Sequence, residues 1–188
     1  KQGAAKGPGN NIRGLIAGGS TPSRINVIEY YTFEAAANAV DFGDLSDICS
    51  SGSGCSSSTR TVFNFGYVAP ARVNTIEFVT TSTTGNAKDF GDLTDIRNGT
   101  GALSNSTRGV FGGGENPNKT NIIDYVTIAT TGNAIDFGDM GYTRSNSAND
   151  GASSPTRGIF SGGGSPASGN DNNRMKRIDK IEIATTGD

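Results

Sequence analysis

The tetrapeptide DFGD stands at Asp41–Asp44, again at Asp89–Asp92 and a third time at Asp136–Asp139 of this 188-residue chain. Copies at near-equal intervals mark internal repetition, so the chain is laid against itself before any element is assigned. Working outward from DFGD, the arginine of IRG, TRT, TRG and TRG falls at Arg13, Arg60, Arg108 and Arg157, with separations of 47, 48 and 49 residues. The period is about 48 residues.

Each period keeps one order. It opens with arginine, an apolar pair and glycines (RGLIAGG, RTVFNFG, RGVFGGG, RGIFSGG), then a polar loop with one proline, Pro22, Pro70, Pro117 or Pro166. A run rich in β-branched and aromatic residues follows: NVIEYYTF, NTIEFVTT, NIIDYVTI and RIDKIEI. After a turn such as TTGNA come DFGD and a Ser/Gly-rich stretch that leads to the next arginine. In the third block Ile28, Ile76, Ile123 and Ile178 share a position, Tyr30, Phe78 and Tyr125 lie two residues on, and Glu29, Glu77, Asp124 and Asp179 stand between. Apolar residues alternating with an acid make a half-buried strand, and no window carries a 3.6-residue apolar period. TFEAAANAV, residues 32–40, is rich in helix formers, but its counterparts are turns and it reads as a variant hairpin.

Three strands per period, with a fourth in the Ser/Gly stretch, predict an all-β chain in which each period is one blade of a β-propeller of about four blades. The repeats span 13–59, 60–107, 108–156 and an incomplete 157–188 to which 1–12 contribute, all within a single domain, 1–188. Four arginine anchors but three DFGD copies leave the last blade short of a strand. The expectation is that the N-terminal segment completes it, or a neighbouring subunit does so by strand addition.

The glycine pair, the strand tyrosine and an arginine five residues after DFGD (Arg97, Arg144) resemble a kelch repeat over nearly the whole chain. Kelch tryptophan is absent, and Phe42, Phe90 and Phe137 stand at about its place. Phrases such as SSPTRGIFSGGG and IDYVTIATTGNAIDFGD are more closely similar to the kelch-like repeat proteins of marine cyanophages and related phages. That resemblance implies a virion structural or tail-associated protein, an adhesion role, and a virion or extracellular location. Its partners would be other virion or assembly subunits and host-surface glycan, within a homo- or hetero-oligomeric assembly. The alternative is a secreted carbohydrate- or protein-binding propeller domain of bacterial origin.

Chemistry is scarce. An Asp-Phe-Gly that serves a kinase occurs once, beside a Gly-rich loop, a strand lysine and a His-Arg-Asp loop, and this chain has no histidine. Without histidine a Ser-His-Asp triad or a His-ligated metal site cannot be built, and D-x-x-D offers calcium only two carboxylates. Paired carboxylates for glycoside cleavage would have to come from the DFGD acids or Glu29 and Glu77, whose periodic recurrence argues for a structural task. The expectation is therefore no enzyme, no catalytic residue, no cofactor and no metal. A net charge of −2 with scattered signs gives no nucleic-acid surface, and no apolar run is long enough for membrane insertion.

The repeated arginines are expected to bind a carboxylate or carbonyls of their own or an adjacent repeat, rather than line an anion-binding channel. DFGD is expected to be a strand with a buried phenylalanine, its aspartates hydrogen-bonding nearby backbone. Repeats carry specific contacts where they differ, and the last copy expands its loop to SPASGNDNNRMK, five residues longer than in copies two and three. Asn170, Asp171, Asn172, Asn173 and Arg174 are the candidates for partner contact. Cys49 and Cys55, six residues apart, are either a small disulfide loop or two free thiols.

Overall fold

The computed structural model describes residues 4–35, 37–145, 151–164 and 175–186, and among these every regular element is a strand. The first repeat runs β1 (Ala5–Gly9), β2 (Arg13–Ala17), β3 (Ile25–Thr32) and the start of β4 (Val40–Ser56). The rest of β4 opens the second repeat, followed by β5 (Arg60–Val68), the short β6 (Ala71–Arg72), β7 (Thr75–Thr80) and β8 (Lys88–Asp92). The third comprises β9 (Gly101–Ser104), β10 (Arg108–Gly112), β11 (Thr120–Thr127) and β12 (Ile135–Arg144). The fourth holds β13 (Ala152–Ser153), β14 (Arg157–Ser161) and β15 (Ile178–Glu182). Residues 32–40 carry a turn after β3 and no helix among their described members, in keeping with the hairpin reading.

Every repeat is an antiparallel up-and-down meander. β4 is long because its first part pairs with β3 and its later part with β5, which fuses the first two meanders into one sheet. Register repeats with the sequence: Ile16 faces Glu29, Phe63 faces Glu77, Phe111 faces Asp124 and Phe160 faces Asp179. Beside those acids the pairing slips in the same way three times, where Ile28, Ile76 and Ile123 oppose Gly43, Gly91 and Gly138 of DFGD. These glycines have φ of 146°, 140° and 136°, values a β-bulge can demand and an L side chain resists.

Among the described residues, buried side chains form three apolar layers, each between consecutive repeats. Leu15, Ile28 and Phe42 of the first repeat pack on Phe63 and Val79 of the second. Val62, Ile76 and Phe90 pack on Phe111, Val126 and Ile128 of the third. Val110, Ile123 and Phe137 pack on Phe160, Ile181 and Ile183 of the fourth. Sheets stacked face to face bury one set of alternating residues, which is why the isoleucine of the third block is fully buried in the first three repeats. Its fourth copy, Ile178, is 68% exposed, and Ile159, whose counterparts Leu15, Val62 and Val110 are fully buried, is 36% exposed. At the opposite end Phe33 is 54% exposed.

One expectation changes. The Ser/Gly stretch pairs with the arginine strand that follows it, as β4 with β5 and β9 with β10, so a structural repeat begins with that stretch rather than ending with it. The N-terminal segment follows the same rule: β1 pairs with β2, as Ala5 with Ala17, and is the first strand of the first repeat.

Candidate functional site: the joints between repeats

Recurring residues converge on the joints, and the same bonds recur there. At one edge of the sheets the DFGD strand of one repeat meets the TTGN turn of the next. Phe42 O accepts from Gly85 N at 2.7 Å and Asp44 O from Ala87 N at 2.8 Å, while Asp44 N donates to Asn86 Oδ1 at 3.0 Å. One repeat later Phe90 O accepts from Gly132 N at 2.7 Å, Asp92 O from Ala134 N at 2.7 Å, and Asp92 N donates to Asn133 Oδ1 at 3.1 Å. The glycine makes this approach geometrically open, since a Cβ on Gly43 would lie 2.5 Å from the Gly85 carbonyl. The phenylalanines are buried as expected. At Asp44 and Asp92 the bonds run through main-chain groups, and the capping side chain is the next repeat's asparagine rather than the expected aspartate.

At the opposite edge serines form a second ladder. Ser104 Oγ donates to Ser56 O at 2.9 Å and accepts from Ser56 N at 3.2 Å, and Ser153 Oγ donates to Ser104 O at 2.7 Å. Ser56 Oγ bonds both the N–H and the carbonyl of Gly9.

The anchoring arginines lie between. Arg13 stacks over Tyr30, Arg60 over Phe78 and Arg108 over Tyr125, each 4.5–4.7 Å from the ring centroid. From there Arg13 Nη1 donates to Ser82 O at 2.9 Å, Arg60 Nη1 to Ala129 O at 2.8 Å and Arg108 Nη1 to Ile183 O at 2.9 Å, all in the following repeat. Arg157 instead bonds Glu182 of its own repeat through Nε at 3.0 Å, with its side chain 64% exposed. Carbonyl and carboxylate pairing is what the recurrence predicted.

A second arginine set, five residues past DFGD, pairs with acids of the following repeat. Arg97 Nη2 lies 2.8 Å from Asp124 Oδ2, with both side chains buried, and its Nε donates to Gly113 O at 2.9 Å. Thr94 completes the acid's shell, with Oγ1 2.6 Å and N 3.1 Å from the carboxylate oxygens. Arg144 likewise pairs with Asp179 and reaches Gly162 O at 3.2 Å. Burial, with a smaller push from Arg177, draws the Arg144 guanidinium below its ordinary value. Low-dielectric surroundings make such a pair costly to break from one side.

At the first joint the pattern is broken. Counting five residues past DFGD reaches Cys49, and Gly19 N donates to Cys49 O at 2.9 Å as Gly114 N does to Arg144 O at 2.8 Å. Cys49 therefore occupies the arginine position. Its matching acid, Glu77, is 5% exposed and is held by Ser46 through both its N–H, at 3.3 Å, and its hydroxyl.

The disulfide alternative is set aside by this placement. Cys49 and Cys55 are free, buried thiols six residues apart on one strand, Cys49 in the first apolar layer and Cys55 in the second. A strand advances roughly 3.3 Å per residue, and a disulfide needs Cα atoms within about 7 Å. Burial, then the charges of Glu77 and Asp47, push the Cys49 thiol far up, and burial alone pushes Cys55 up to about 12.

The loop candidates Asn170, Asp171, Asn172, Asn173 and Arg174 lie outside the described residues. Among the described residues no group of three or more Cys, Asp or Glu is placed to hold a metal ion. No protein-family model matches the chain, and no curated protein matches it.

Proposed function

We propose that the chain is a non-catalytic interaction scaffold, a kelch-like β-propeller of about four blades that serves as a virion structural, tail-associated or adhesion protein of a phage. The observation that carries the non-catalytic reading is the joint chemistry. Arg13, Arg60, Arg108, Arg97 and Arg144 are each engaged in holding one repeat to the next, so the recurring polar groups are committed to cohesion. Catalytic groups need polar atoms turned toward a reactant, and these are turned toward protein.

Support for the phage assignment is the similarity of the repeat wording to cyanophage kelch-like proteins. Support for a partner is the outward face of the fourth repeat, where Ile178 and Ile159 are exposed at positions that are fully buried in the first three. Other subunits of the assembly, or a host-surface glycan held by the loops, are the partners of this reading.

Mass spectrometry and imaging of purified particles test it. The proposal predicts the chain in stoichiometric copy number, in contact with a neighbouring subunit. A secreted monomer that binds a glycan array and is absent from particles would favour the bacterial propeller domain instead, and hydrolysis of a polysaccharide panel would overturn the non-catalytic reading.

A further inference from the structure

Among the described residues three joints join the repeats, and the first lacks its guanidinium. In the second and third joints the acid of the third strand, Asp124 or Asp179, carries a buried or half-buried ion pair with Arg97 or Arg144. In the first joint the equivalent acid is Glu77, the arginine is Cys49, and among the described residues no cation pairs with Glu77. What stands there instead is a cavity of about 130 Å³.

Its walls are suited to one chemical class. Glu77, 5% exposed, and the exposed Asp47 bring two carboxylates to the lining, which contains no basic residue. Phe65 closes another side, at the position held by Gly113 and Gly162 in the joints that keep their arginine, and Val68 and Val73 add aliphatic surface. An aromatic ring, aliphatic walls and uncompensated carboxylates together recognise an organic cation, since the charge meets a carboxylate and the stem meets apolar surface. Burial of an acid without a cation is unfavourable, so a cation that enters stabilises the folded chain. About 130 Å³ is ample beyond the one-water scale of roughly 10–15 Å³.

We propose that the cavity between the first and second repeats, lined by Glu77, Asp47 and Phe65 beside Cys49, binds a small organic cation, a guanidinium or primary ammonium on a short aliphatic stem. The ligand takes the place that an arginine side chain holds in the two following joints. This does not depend on the phage assignment, because the site is defined by the joint itself.

The test uses the full chain and n-propylguanidinium chloride at low millimolar concentration, against matched sodium chloride and the uncharged n-propylurea. The thermal midpoint is expected to rise saturably with n-propylguanidinium and with n-butylammonium, and to stay flat with n-propylurea. Glu77→Gln, which keeps the side chain's size, should weaken the apparent affinity at least tenfold, and Cys49→Met, which fills the cavity without charge, should abolish the response. A wild-type midpoint that does not move, an equal response to n-propylurea, or an undiminished response in Glu77→Gln would overturn the proposal. If either variant unfolds, the wild-type comparison of cation with urea still decides it.

Discussion

Gly91 and Gly132, from consecutive repeats, approach so closely that a Cβ on Gly91 would lie 2.5 Å from the Gly132 carbonyl oxygen. The contact places the Gly132 N–H 2.7 Å from Phe90 O, and with it the edge of one sheet is tied to the turn of the next. Gly132 itself has nothing within 4 Å of where its own Cβ would be, although its φ is 152°.

Gly91→Ala and Gly132→Ala should therefore differ. The first adds a backbone clash to conformational strain and is expected to cost about 2–5 kcal/mol, the second only the strain, about 1–3 kcal/mol. Urea unfolding of the two variants checks the order. An equal loss would mean that the glycine is required for its φ alone.

Arg60 and Arg157 occupy the same repeat position in different surroundings. Arg60→Ala loses a ring contact and two carbonyl bonds to the third repeat, at 2.8 and 3.2 Å, and is expected to cost roughly 1–3 kcal/mol. Arg157→Ala removes only an exposed ion pair and should leave the urea midpoint almost unmoved.

Alkaline pH should expose the buried thiols. The unfolded Cys55 ionises near its ordinary value of 9.0, while the folded one stays protonated up to about 12. Its folded pKa is raised, so its contribution to stability is fully present below pH 9 and is lost as pH climbs toward 12. The slope is about 1.4 kcal/mol per pH unit for one thiol. Cys55→Ala, compared by unfolding at pH 8 and pH 10, should show a shallower loss than the parent chain, whatever its absolute stability. In the native state both thiols should react slowly with a thiol reagent at neutral pH.

Much of this fold is legible in the sequence because a repeat writes each contact several times. The 48-residue spacing, the alternation around Glu77 and Asp124, and the burial of Phe42, Phe90 and Phe137 all follow from recurrence. The phase of the repeat does not, because the Ser/Gly stretch has edges of equal chemical character and only pairing shows that β4 continues into β5. β1 shows the same phase by pairing with β2. Arg97 and Arg144 were visible as a pair, yet their partner acids lie one repeat onward, 27 and 35 residues away. Counting five residues past each DFGD would have found Cys49 in their series. The signal was a break in a repeated column, and a column of three is short for such a break to stand out.

The recurring polar residues are joints between repeats. A double-mutant cycle on Arg97→Met and Asp124→Leu, read by urea unfolding, tests this most directly. Each single change strands one buried partner and is expected to cost about 3–5 kcal/mol, whereas the double change should cost much less than the sum, with a coupling of about 2–3 kcal/mol. Losses that add within about 0.5 kcal/mol would show that the two residues do not hold the second and third repeats together, and would contradict the account.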